Sequence, residues 1–182
     1  MNEKQRKRHN DEKLGELYPT FRDKISLILT ELESQGFRPR IQVAWRSEKD
    51  QLNAFDSNFS QVKYGFHNVT APDGTKEALA VDMEDDSLVN PKLFTVDYDE
   101  KEFRLRLTAA VQRQGLVSGI FWGLQKSRPE DESFARAAIA AIVNAITNED
   151  WKARIDNWGW DPKHIQPPDM TPEDARKGMR PI

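Results

Sequence analysis

Tyr64-Gly-Phe-His-Asn68, Glu77-Ala-Leu-Ala-Val-Asp-Met83 and Trp158-Gly-Trp-Asp-Pro-Lys-His-Ile-Gln166 are the stretches on which the reading of this chain turns. The middle one alternates: Leu79, Val81 and Met83 face one side of a strand, while Ala78, Ala80 and Asp82 face the other. An aspartate flanked by alanines leaves room for a metal ion or for a plain salt bridge. His67 lies 15 residues before Asp82, so the two meet only if the intervening loop folds back. Pro72-Asp-Gly74 reads as the turn that does this. Asp161 precedes His164 by three residues, which sets both side chains on one side of a helical or turn segment. His67, Asp82 and His164 thus offer three zinc ligands with a fourth position open, and Asp161 offers a carboxylate beside them as a base.

Working outward, Arg40 to Arg46 alternates as a half-buried strand, with Ile41, Val43 and Trp45 facing one way. Arg46 ends that strand, where a cation is placed to stabilise the oxyanion of a tetrahedral intermediate. Ser47 is suited to cap a short helix carrying Leu52 and Phe55. Before the strand, Leu14, Leu17, Tyr18, Phe21, Ile25, Ile28, Leu29 and Leu32 recur at helical spacing. Pro19 suits the first turn of that helix and Gly36 its end. Glu100 to Gln114 is expected to be a helix stopped by Gly115. Gly119-Ile-Phe-Trp-Gly123 is expected to be a buried strand or turn. Another helix, roughly 131–147, is expected to follow Pro129 and the acids Glu130, Asp131 and Glu132. Residues 82–102 carry eight acids against two lysines, with Phe94-Thr-Val96 as a short strand. The spacing lacks the EF-hand pattern, so a solvated loop is preferred to a calcium site.

Composition narrows the function classes. At 182 residues the chain has length for one domain with its own core. The net charge of -3 provides no basic field for nucleic acid, and no apolar run approaches the roughly 18 residues of a membrane span. The first residues lack the apolar core of a secretory leader, so synthesis in the cytoplasm is expected. Cysteine is absent, which excludes disulfides and thiolate metal sites and leaves His, Asp and Glu as strong zinc ligands. Of the three histidines, His9 sits in the charged segment 1–13 and is not counted as a ligand. That segment is expected to be a solvated, frayed helix start. Residues 14–166 form the expected domain, and the Pro-rich tail 167–182 is expected to be extended or mobile.

These motifs resemble the LAS group of zinc peptidases, which act on peptidoglycan. The group includes VanY-type D-alanyl-D-alanine carboxypeptidases, VanX-type dipeptidases and the L-alanyl-D-glutamate endopeptidases of phage endolysins. The resemblance runs from about Ile41 to Gln166. Val43-Ala-Trp-Arg-Ser47 with Gln51 is similar to the family's strand ending in Tyr-Arg-Ser and the glutamine on its next helix. Gly65-Phe-His-Asn68 and Ala78-Leu-Ala-Val-Asp82 match its first two metal motifs, and Gly119-Ile-Phe-Trp-Gly123 its Trp-Gly-Gly segment. Asp161-Pro-Lys-His-Ile-Gln166 matches its closing motif in the endolysin-like form.

The resemblance implies an α+β fold, hedgehog/DD-peptidase-like, with a small antiparallel sheet forming a zinc cleft flanked by helices. It implies Zn2+ on His67, Asp82 and His164, Asp161 as general base to the metal's water, and Arg46 as carbonyl or oxyanion partner. The implied substrate is the peptidoglycan stem peptide, met by a monomer at the cell wall after release or delivery. L-alanyl-D-glutamate endopeptidase activity is favoured over D-alanyl-D-alanine carboxypeptidase activity, with a non-catalytic wall-binding module as the other class. Three departures stand out. Residues 69–76 read as an insertion at the cleft mouth, Gly65 replaces the family's serine, and the 131–147 helix precedes the closing motif.

Overall fold

Pro19 opens the helix that the apolar stripe predicts. In the computed structural model, which describes residues 1–58, 60–87, 98–124 and 132–181, α2 runs Pro19–Ser34. It ends where Gly36 adopts φ +90° and the Phe37 N–H donates to the Leu32 carbonyl at 3.1 Å. Phe21, Ile25, Ile28 and Leu32 are buried on one face. The stripe is not continuous from Leu14, because α1 (Glu3–Leu14) ends there and residues 15–18 connect the two helices.

The remaining elements are β1 (Pro39–Val43), α3 (Glu48–Asp56), β2 (Val81–Asp85), α4 (Tyr98–Arg113), β3 (Val117–Ser118), α5 (Glu132–Thr147), β4 (His164–Gln166) and α6 (Pro172–Arg176). The strands form one antiparallel sheet in the order β1-β2-β4-β3. The chain is therefore α+β, with helices around a small antiparallel sheet. Ile41, Val81, Met83 and Ile165 from the sheet share a core with Ile25, Ile28, Phe103, Leu107 and Val111 from α2 and α4. A second, smaller core joins Leu105, Ile120, Ile142, Ala145 and Ile155, which gives α5 its place beside α4. The expected strand at Phe94–Val96, most of the acidic loop and the helix start at Pro129 lie outside the described residues.

Three local expectations are corrected. A bulge between Ile41 and Val43 shifts the register of β1 against β2. The strict alternation is broken there: Ala44 turns into the core at 0% exposure and Val43 is left half-buried. The charged N-terminus is not a solvated start. Its helix covers the free edge of β1, with Arg6 and Asn10 both buried. Arg6 Nη1 and Asn10 Nδ2 donate to the Pro39 carbonyl at 2.6 and 2.9 Å, and Asn10 Oδ1 accepts from Ile41 N–H at 3.0 Å. Side chains thereby supply the partners that a further strand would have offered. The tail is anchored too. Thr171 caps α6, Ala175 is buried, and Arg180 pairs with Glu77 at 2.7 Å.

Asn10→Ala leaves the buried Ile41 amide without that acceptor. It is expected to destabilise the fold by about 1–3 kcal/mol, measured by urea denaturation.

Candidate metal centre

The centre is built on one antiparallel register. Asp82 in β2 lies directly opposite His164 in β4, so both side chains leave the same face of the sheet as neighbours. His164 Nδ1 is 3.0 Å from Asp82 Oδ1. His67 arrives from a short 3-10 turn, Phe66–Asn68. Its segment runs back along the residues just ahead of β2, with Leu79 N–H donating to the Phe66 carbonyl and Glu77 N–H to that of Val69. His67 Nε2 then lies 3.5 Å from the same Asp82 oxygen. The loop folds back as the 15-residue spacing requires.

Each imidazole is oriented from behind. His67 Nδ1–H donates to the Ala44 carbonyl at 2.6 Å, which leaves Nε2 to face Asp82. The bulge in β1 serves this contact, since it turns Ala44 inward. His164 uses the opposite nitrogen: Nε2–H donates to Gln166 Oε1 at 3.2 Å, so Nδ1 faces Asp82. Two nitrogen lone pairs and a carboxylate oxygen thus converge, all within 4.8 Å of one another. Such an arrangement is stable only with a cation or a proton between the atoms. Donors around a tetrahedral zinc, at 2.0–2.1 Å from the ion, lie about 3.3 Å apart, and the two measured separations bracket that value. The buried group of His67, Asp82 and His164 can hold a metal ion.

Electrostatics follow the same geometry. Burial alone would raise the Asp82 carboxyl, but protonated His67 and His164 rings, charged and donating to it, outweigh burial and hold the group far below the usual carboxylate range; a cation at the same point would take over that part. Asp161 moves the other way: burial pushes it up, and the nearby Asp82 charge adds to the effect. Its Oδ2 is 3.9 Å from His164 Nδ1, beside the convergent donors and outside them. The His164 N–H donates to the Asp161 carbonyl at 3.2 Å, closing the turn that links the two residues. A divalent cation in the centre would draw the Asp161 carboxyl back down.

Arg46 reaches the same cleft, so all five expected residues line one cavity of about 240 Å³. Arg46 Nη1 donates to Gln51 Oε1 at 3.0 Å, and the Gln51 amide donates to Ser60 Oγ and the Val62 carbonyl, each at 2.7 Å. The Arg46 N–H donates to the His67 carbonyl, and Asn68 Nδ2 to the Arg46 carbonyl, both at 2.8 Å. Asn68 and Gln166 are therefore structural partners of the centre that the sequence reading quoted without giving them a role. The signal was present in their adjacency to the two histidines.

The insertion at 69–76 does not stand at the cleft mouth. Thr70 bridges to Lys76, Trp45 Nε1–H donates to Thr70 Oγ1 at 3.2 Å, and Lys76 pairs with Glu16 at 2.9 Å. The segment packs over Trp45, and none of its residues lines the cleft.

Zinc titration followed by metal analysis should give about one ion per chain, lost in His67→Ala and in His164→Ala. Gln166→Ala removes the acceptor behind His164 and should weaken metal affinity about 10- to 100-fold in a competition assay with a chelator dye.

No protein-family model, curated protein or solved structure matches this chain, so the reading of the centre rests on its own geometry.

Proposed function

We propose that this protein is a zinc-dependent peptidase that hydrolyses peptide bonds in peptidoglycan stem peptides. The observation that carries the reading is an incomplete donor set beside a free carboxylate. Two imidazoles and one carboxylate converge in a cleft, and Asp161 lies next to them without joining them. Structural zinc sites are closed by four protein ligands, whereas hydrolytic sites keep a position for water. A bound Zn2+ would supply Lewis acidity and lower the pKa of its water to about 7.

The chain's own groups account for the rest. Asp161 accepts a proton from the attacking water and delivers it to the leaving amine. Arg46 offers its guanidinium to the substrate carbonyl as negative charge develops on it. Gln51 holds Arg46 in place, with Gln51 itself tied to Ser60 and Val62. The cleft volume is at the small end for ligand sites, so it admits a few residues around the scissile bond while a polymer continues outside. The order Asp161-x-x-His164-x-Gln166 resembles the closing motif of endolysin-like LAS peptidases, and that resemblance favours an L-alanyl-D-glutamate endopeptidase over a D-alanyl-D-alanine carboxypeptidase. A non-catalytic wall-binding module is the contrasting class.

Digestion of purified sacculi with the zinc-loaded protein, followed by sizing of the muropeptides, separates these readings. A cut beside the muramyl-linked L-alanine supports the endopeptidase, and free D-alanine supports the carboxypeptidase. No release at all would exclude both. Asp161→Ala should retain zinc and lose about 10²- to 10⁴-fold in turnover. Full activity in that variant would remove Asp161 from its role.

A further inference from the structure

The cleft has one wall that hydrolysis at the metal centre does not use. The Trp122 ring lies 4.6 Å from the His164 ring, centroid to centroid, and the Trp160 ring lies 5.3 Å from that of Trp122. Exposure rises along this line, from 7% at His164 through a half-buried Trp122 to 50% at Trp160. Successive rings are tilted by 44° and 40°, so Trp122 lies between the other two and Trp160 is the ring that faces solvent.

The outer two are held by backbone. Gly159 N–H donates to the Ile120 carbonyl at 2.6 Å, and Trp160 N–H to the Trp122 carbonyl at 3.0 Å. The two segments lie so close that a Cβ at Gly159 would meet the Gly119 and Ile120 carbonyls and the Trp122 amide, each at 2.5 Å. A Cβ at Gly119 would run into the Asp161 carbonyl. The glycines allow this approach, and the approach fixes both indoles beside Asp161. The small core of Leu105, Ile120 and Ile142 supports the bracket from behind. A single exposed tryptophan needs no explanation. A pair fixed by two close backbone crossings at the lip of a cleft is a prepared surface.

We propose that the exposed Trp160 ring, backed by Trp122, is a stacking shelf for a pyranose ring, an N-acetylated sugar of the glycan strand to which the stem peptide is attached. The proposal rests on the wall-peptide reading for its substrate. A pyranose presents an apolar C–H face and a rim of hydroxyl and amide groups. An indole offers the matching apolar face with a polar edge. The other cleft-lining groups suit the rim: apart from Arg46 and the acids of the centre they are uncharged, and Gln61 offers an exposed side-chain amide. Trp160 would then set specificity for glycan-linked over free peptide, without taking part in bond cleavage.

Calorimetric titration of the full chain with tri-N-acetylchitotriose tests the shelf without requiring turnover. Saturable binding is expected, weakened about tenfold or more in Trp160→Ala and partly restored in Trp160→Phe, with the zinc content of both variants unchanged. In digests, Trp160→Ala should raise KM for glycan-linked stem peptide and leave KM for the free peptide as it was. The proposal is overturned if chitotriose does not bind, or if it binds Trp160→Ala as well as the parent. It is equally overturned if N-acetyl-phenylalaninamide binds where chitotriose does not, which would assign the shelf to an apolar side chain. Sugar binding without peptide cleavage would leave the shelf standing and remove the peptidase reading. Cleavage without sugar binding would do the reverse.

Discussion

The antiparallel pairing of Asp82 with His164 is the constraint on which the site depends. Side chains alternate along a strand, so a slip of one residue between β2 and β4 would send one of the pair to the opposite face. Register is held on both sides of this contact. β2 buries Val81 and Met83, and β4 buries Ile165 between β2 and β3. The apolar residues that fix the register alternate with the polar ones that use it. The hydrophobic core and the candidate metal centre are thus two faces of one pairing pattern.

A carboxylate and two imidazoles in a largely buried place would be costly if they were left unpartnered. Here every first partner has a second behind it. Ala44 fixes His67, Gln166 fixes His164, and Asn68 ties the His67 turn to the backbone of Arg46. The same chain of bonds continues through Arg46 to Gln51 and the residues around Ser60. Cation and metal centre are therefore positioned by one connected network spanning β1, α3 and the turn at 66–68. The periphery stiffens it further. α1 closes the edge of β1, and Arg180 links the C-terminal segment to Glu77 just ahead of β2.

Legibility in the sequence followed the range of the physics. α2 could be read because its apolar spacing, Pro19 and Gly36 all act within a few residues of one another. The candidate ligand set could be read because, in a chain without cysteine, two of the three histidines lie in short motifs that also carry Asp82 and Asp161. The bulge at Val43 could not, since it depends on β2 lying alongside. The N-terminal helix looked solvated because Arg6 and Asn10 are polar. Their burial is compensated by carbonyl and amide groups of β1 more than 25 residues away in sequence. The tail looked extended or mobile because it is rich in proline, and Arg180 finds Glu77 only in the folded chain. Residues 69–76 were placed at the cleft mouth by their neighbours in sequence, yet Trp45 and Glu16, bonded to Thr70 and Lys76, draw them to another surface.

The sequence by itself determined the candidate ligands, the carboxylate beside them, the strand-ending arginine and the mixture of helices with short strands. These are properties of residue type and short-range spacing. Tertiary structure alone decided that the five groups share one cleft, which nitrogen of each imidazole faces Asp82, and that Trp122 and Trp160 stand together at its lip. Those outcomes depend on strand register and on close backbone crossings at Gly119 and Gly159. Such contacts join segments tens of residues apart, and their geometry exists only once the core has packed.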